Sequence, residues 1–352
     1  MKKNMTPEYY KYTRFIVAVL VVLALLAVLT ALVAISAGSS GLTIREIVLT
    51  FLGRGTTQSE AIIFNIRLPR VVTAIVAGIG LATVGCVYQS ILRNPIASDS
   101  TLGISQGAAF GASFAIIALG AGMQNQTGGG VTISNPYLVS VCAFICSMLS
   151  TFIVLGLSKL RGISPEAMVL AGVALSSLFA GGTTLLQYFA EDVKLAAVVF
   201  WTFGDLGRTS WREIIIISAV VLLALVYFMF NRWNYNALQG GDQSAKGLGV
   251  NVDAVRIVGM IICSFTSSVI VSFVGIINFV GLISPHVLRR IIGNDYRFLL
   301  PASAMVGALI LLLSDTAARL IVSPVILPIG AITSFLGAPV FLYLLFKGVQ
   351  KR

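Results

Sequence analysis

Apolar runs long enough to cross a lipid bilayer dominate this sequence. A crossing helix needs about 20 mainly apolar residues. Clear runs span residues 15–35, 71–91, 138–157, 214–230, 255–276 and 301–321. Less clean runs, short or interrupted by glycine, span 102–121, 165–186, 277–292 and 332–346. Charged residues make up only 11% of the chain and hydrophobic residues 57%. Soluble domains carry roughly 25% charged residues, so this chain cannot cover a water-facing surface. It is read as an all-α, polytopic membrane protein of about ten transmembrane helices, a single permease-like domain over residues 1–352. Lipid is its solvent over most of its outside.

The charges then orient the helices. With the N-terminus inside and ten alternations, the inner side collects Lys2, Lys3, Lys11 and Arg14, Lys159 and Arg161, and the C-terminal Lys351 and Arg352. In all, about two-thirds of the 24 basic residues fall there. Lys and Arg favour the cytoplasmic side, so both termini are expected inside. A net charge of +11 also suits a nucleic-acid binder, but that needs a clustered basic face, and these residues lie between apolar runs. The run at 15–35 is longer than a usual signal-peptide core, so it is read as the first span.

Little chemistry remains in the bilayer. Cys86, Cys142, Cys146 and Cys263 all lie in apolar runs without metal-ligand spacing. His286 is the sole histidine, which excludes a multi-histidine metal site. No GxxxxGK[ST] or HExxH motif occurs, so the chain does not cradle nucleotide phosphates, and a candidate nucleophile such as Ser105 in Gly103-Ile-Ser-Gln-Gly107 has only His286 in the chain as a histidine base. Asp315 lies deep in a clear run, with Arg319 four residues on. Such a pair sits on one helical face. It joins helices near the outer surface, or it couples transport to an ion. Glycines recur at helical spacing, as in Gly103, Gly107 and Gly111, where small residues let backbones approach.

Two polar segments are candidate contact points. The insert at 235–253 is expected inside, with Asp242 at a helix start and Gly247 or Gly249 at its end. The segment at 191–207, with Trp201 and several charges, is expected to lie at the outer interface. Arg67, Arg70 and Arg319 gather on the expected outside against the charge rule. They suit lipid headgroups or an acidic docking partner.

Longer motifs carry a resemblance. Arg67-Leu-Pro-Arg70, Gly78, Gly80, Gly85, Gln89, Arg93-Asn-Pro-Ile-Ala97 and Leu102-Gly-Ile-Ser105 occur in order. So do Phe279-Val-Gly-Leu-Ile-Ser-Pro-His286, Gly293-Asn-Asp295, Asp315, Arg319, Leu327-Pro-Ile-Gly330 and Gly337-Ala-Pro339. Together these resemble the permease family of iron-siderophore, haem and cobalamin ABC importers, over residues 60–345. The resemblance implies a multi-pass protein of a prokaryotic cell membrane. It implies a likeness to dimers, here a homodimer, around one central path. Two ATP-binding subunits would sit inside and hold ATP and Mg, and an extracytoplasmic solute-binding protein would dock outside. The chain itself would hold no catalytic residue, metal or cofactor. Coupling to the ATPases would fall on Asp242, Gln243, Ala245, Leu248 and Gly249, and docking of the binding protein on Arg67, Arg70 and Arg319. Structural or gating roles would fall on Gly85, Gln89, Asn94, Pro95, Gly103, Gly107, Pro285, His286 and Asp315. Many members carry Glu where Asp242 stands. Ferric siderophore is the first expectation for the solute, with haem or cobalamin as alternatives. An ion-coupled secondary transporter is the reading from a different class.

Overall fold

The protein is described by a computed structural model covering residues 7–38, 42–121, 123–125, 131–133, 135–160, 164–323 and 325–349. Lys2, Lys3, Arg161, Lys351 and Arg352, which carry part of the expected inner charge, lie outside the described residues. The elements are α1 (Pro7–Ser36), α2 (Ile44–Phe51), α3 (Thr57–Ile62), α4 (Leu68–Ile91), α5 (Ile104–Ile117), α6 (Pro136–Leu160), α7 (Pro165–Tyr188) and α8 (Asp192–Thr202). They continue with α9 (Trp211–Phe230), α10 (Arg232–Gln239), α11 (Asp242–Gly247), α12 (Val252–Val274), α13 (Val280–Ile292), α14 (Tyr296–Leu320) and α15 (Ile329–Val349). A π-helical turn, Ile63–Arg67, joins α3 to α4. Two three-residue strands, β1 (Met123–Asn125) and β2 (Val131–Ile133), pair antiparallel with Met123 opposite Ile133.

Seven helices among the described residues are long and apolar enough to cross a membrane. They coincide with the six clear runs and with 165–186. Two of the remaining runs form shorter helices. α5 has 14 residues and α13 has 13, so each rises about 20 Å, less than a hydrocarbon core of about 30 Å. Both begin after irregular backbone. Gly103 starts α5 at φ 79° and Phe279 starts α13 at φ 68°. Such broken backbone is tolerated at membrane depth only when protein surrounds it. Here Ser150 Oγ donates to Leu102 O at 2.9 Å, and Ser176 Oγ donates to Ser100 O at 3.3 Å.

Helix α4 is the centre of the bundle, and most of its residues are buried. Its glycines are the reason. A Cβ on Gly85 would stand 1.9 Å from Gly281 O of α13, and one on Gly78 would stand 2.5 Å from Gly307 O of α14. The helices therefore meet backbone to backbone. The stripe on α5 works in the same way, with Gly107 against Cys146 O and Gly111 against Cys142 O of α6. By contrast α1 shows lipid-ready side chains such as Leu25, Leu29 and Leu32.

Most of the segment at 191–207 is α8, and Trp201 is buried in a cluster with Ala112, Ile116, Val198 and Val271. Its neighbours Phe200 and Phe203 take the exposed positions.

A side chain at Gly85 has no room that a rotamer change could supply, because the obstacle is backbone. Gly85→Leu is expected to cost at least about 3 kcal/mol, the upper range for overpacking. Thermal unfolding of the detergent-solubilised protein checks this. A melting temperature equal to that of the parent would contradict the packing account.

Candidate functional site

Polar side chains concentrate at the two ends of the bundle, and α4 reaches both. At the expected cytoplasmic end lies the insert. α10 and α11 form there because Gly241, at φ 99°, turns the chain between them. α11 spans Asp242–Gly247, which matches the helix read from the sequence. The role of the Asp242 carboxylate differs from a simple cap. It accepts from Arg256 Nη2 at 3.0 and 3.1 Å, and Arg93 Nη1 stands 3.9 Å away. Arg256 is 1% exposed, and its Nε donates to Ile91 O, the last residue of α4, at 2.9 Å. One buried guanidinium therefore ties the start of α11 to the end of α4.

The other insert residues divide by exposure. Ala245 is buried and holds α11 to the bundle, whereas Gln243, Leu248 and Gly249 face outward. Leu248 is 74% exposed, a large apolar side chain at the tip of a polar loop. Gly249 has φ 83°, and a Cβ there would meet nothing within 4 Å. Its backbone, not crowding, calls for glycine.

Beside the insert is a polar cavity of about 370 Å³ lined by Gln89, Arg93, Pro95, Gln239, Arg289 and Tyr296, among others. Arg289 donates from Nη1 to Gln89 Oε1 at 2.6 Å and from Nη2 to the Tyr296 hydroxyl at 3.1 Å. Among the described residues, Arg93 is one of two non-glycine residues with positive φ, at 47°. It turns the chain out of α4 into Asn94-Pro95, where Asn94 Oδ1 accepts from Ile96 N at 3.1 Å. Asp295 starts α14 nearby. Burial opposes its ionisation, but hydrogen bonds from Arg297 and Asn236 outweigh this and hold its carboxyl below the usual carboxylate range.

At the expected outer end, Asp315 is 1% exposed and joins two arginines. Arg70 Nε stands 2.6 Å from its Oδ1, and Arg319 Nε 2.9 Å from its Oδ2. Arg70 also reaches Asp205 at 3.3 Å. The remaining donors cap α1. Arg319 donates to Ala37 O at 2.7 Å and Ala34 O at 3.1 Å. Arg67 donates to Ile35 O at 2.6 Å and Ser36 O at 3.0 Å. The last carbonyls of a helix lack intrahelical partners and carry partial negative charge, so two guanidinium groups belong there. Donors of all three arginines, the residues expected to serve docking of a binding protein, are taken up by Asp315, Asp205 and the end of α1.

The other singled-out residues fall along the bundle rather than in one site. Gly85, Gly103 and Gly107 are helix contacts or starts, as described. Pro285 lies buried inside α13. The His286 ring packs edge-on against Phe341, with centroids 5.8 Å apart, and its Nε2 has no hydrogen-bond partner among the described residues. No group of three His, Cys, Asp or Glu side chains among the described residues has metal-binding proximity. Arg256 and Arg289 are the residues the sequence reading missed as members of the sites. Arg256 had a signal, since an arginine entering a membrane helix needs a partner.

Seven long apolar helices among the described residues, broken short helices and paired charges at both ends define a polytopic helical membrane protein. The particular family follows from comparison. The chain belongs to the FecCD transport family, whose model matches residues 20–347. It is 55% identical over 306 residues to MJ0087 of Methanocaldococcus jannaschii, described as an ABC transporter permease protein, covering 87% of each chain. It is 35% identical over 293 residues to the hemin transport system permease protein HmuU of Yersinia pestis, covering 82% of this chain and 84% of that one. Among solved structures, a metal-chelate type ABC transporter in an inward-facing conformation is similar, with a TM-score of 0.79 and 29% identity. That match covers 94% of this chain and 99% of the other. The protein is accordingly a permease of an ABC importer.

Removing one member of a buried ion pair strands the other charge, at about 3–5 kcal/mol. Asp315→Asn is therefore expected to destabilise the protein by about that amount in chemical denaturation. Arg54→Ala, at an exposed site on the same side, should stay within about 0.5 kcal/mol. Equal behaviour of the two variants would contradict the network.

Proposed function

We propose that this chain is the membrane subunit of an ATP-driven importer for a metal chelate, ferric siderophore first among candidates, with haem or cobalamin as the alternatives. It works as a homodimer in the cytoplasmic membrane of a prokaryote, with both termini inside. Two ATP-binding subunits hold ATP and Mg and perform the hydrolysis. An extracytoplasmic solute-binding protein delivers the solute. The relatives support this range of solutes, since their names include hemin, Fe(3+)-citrate and vitamin B12 import systems.

One observation carries the reading. The insert offers an exposed tip of Gln243, Leu248 and Gly249 to a soluble partner, while Asp242 is bound through Arg256 to the end of α4. Ala245 seats α11 in the core. A push on the tip therefore moves the end of α4 and the Asn94-Pro95 turn that follows it. Nucleotide does work on the path by binding one state of the assembly more tightly than the other. At the outer end, Arg67, Arg70 and Arg319 serve docking by fixing the ends of α1, α4 and α14 against one another, so that the face met by the binding protein keeps its shape.

An ion-coupled carrier fits less well. Asp315 is fully committed to two arginines, and a carboxylate clamped in this way is a poor carrier of a proton or cation across the membrane.

Proteoliposomes containing the permease, its ATPase and its binding protein test the reading. Ferric siderophore uptake should require ATP, and Gly249→Leu should keep ATP hydrolysis while lowering uptake about tenfold, because an L side chain strains that φ. Uptake without the ATPase would overturn the ATP-driven reading. Transport of haem or cobalamin in place of ferric siderophore would correct the solute alone.

A further inference from the structure

Two cavities meet at the expected outer ends of α6, α9 and α12. The first, of about 220 Å³, is lined by Tyr137, Trp201, Arg208, Thr209, Ser210 and Glu213, with others. The second, also about 220 Å³, is an apolar groove between Val141, Phe144, Ile216, Val269 and Phe273. Tyr137, Ser140 and Phe273 line both, so the two cavities adjoin. α6 starts at Pro136, and Phe144 is eight residues further on. The groove therefore descends about 12 Å from the helix ends.

Arg208 lines the first cavity with one donor unfilled, although Asp205 lies close enough to interact with its charge. Arg208 Nη2 donates to Phe200 O at a long 3.3 Å, and Nη1 is buried with no hydrogen-bond partner among the described residues. The carboxylate beside it is engaged. Glu213 accepts from Ser210 N at 2.7 Å and from the Tyr137 hydroxyl at 2.8 Å, and also from Ser210 Oγ. Burying a guanidinium N–H without an acceptor is costly. Phosphate oxygens are its best acceptors, since charge-assisted bonds to them are short and strong.

The shape adds the second requirement. A soluble anion or a carboxylate from a protein partner satisfies Arg208 but leaves the apolar groove uncovered. A ligand with a phosphate at one end and a hydrocarbon chain at the other fills both. We propose that these adjoining cavities bind one phospholipid of the adjacent leaflet, its phosphate at Arg208 and one acyl chain in the Val141–Phe273 groove. Glu213 lines the same cavity as Arg208, and its carboxylate offers a headgroup ammonium a counter-charge, which favours a zwitterionic lipid. The site lies at the opposite end of the bundle from the insert and borders the Asp315 network through Asp205, which pairs with Arg70 and also acts on the charge of Arg208, and it does not depend on the solute carried.

Native mass spectrometry of the full-length permease in detergent tests this. The probes are dioleoyl phosphatidylethanolamine, dioleoylglycerol, which lacks the phosphate, and glycerophosphoethanolamine, which lacks the chains. The permease should retain one phosphatidylethanolamine per chain under conditions that strip both other probes. Arg208→Gln should lower that retention about tenfold, the scale of a charge-assisted hydrogen bond. Val141→Trp, which obstructs the groove and leaves Arg208 intact, should lower it similarly. Equal retention of dioleoylglycerol, or parental retention by either variant, overturns the proposal. Glycerophosphoethanolamine bound as well as the lipid makes this a soluble-anion site instead and also overturns it. So does an Arg208→Gln variant that keeps the lipid and loses affinity for the binding protein.

Discussion

The backbone-to-backbone contact of α4 with α13 and α14 is the constraint on which the rest of the structure depends. Gly85 against Gly281 and Gly78 against Gly307 leave no side chain between the helices. Lipid offers apolar helices no hydrophobic reason to associate, so close packing and hydrogen bonds must hold them. This contact fixes α4 along its length. Its first turn supplies Arg70 to Asp315 at one end. Its last turn supplies Gln89 to Arg289 and the Ile91 carbonyl to Arg256 at the other. A single rigid helix thus connects the two charged ends of the bundle.

The two ends solve the same problem with different exposure. Ionisable side chains in a low-dielectric setting must be paired. At the outer end the pairing is closed, with Asp315 held by two arginines and the spare donors capping α1. At the inner end it is partly open. Arg256 is buried, but Asp242 is half-exposed and Arg93 approaches it only to 3.9 Å. The closed network suits a fixed frame. The open one suits a joint between the frame and a moving partner.

Much of this was legible in the sequence, and the gaps have physical reasons. Hydropathy found the long spans because each needs only its own residues. The short helix at Asp242 was legible from its acidic start and glycine end. The partner of Asp315 was half legible. Arg319 lies one helical turn away, whereas Arg70 is 245 positions distant and no local spacing points to it. The runs at 102–121 and 277–292 looked like crossings by composition. Gly103 and Phe279 in left-handed backbone shorten them, which hydropathy does not register.

The central claim is that the Asp242–Arg256 joint transmits the work of ATP to the transport path through α4. The ratio of solute imported to ATP hydrolysed, measured for Asp242→Asn in proteoliposomes with the ATPase and binding protein, tests it most directly. The account predicts near-parental ATP hydrolysis with the ratio reduced about tenfold, the cost of losing one charged hydrogen-bond partner. A parental ratio in a folded, assembled variant would contradict it.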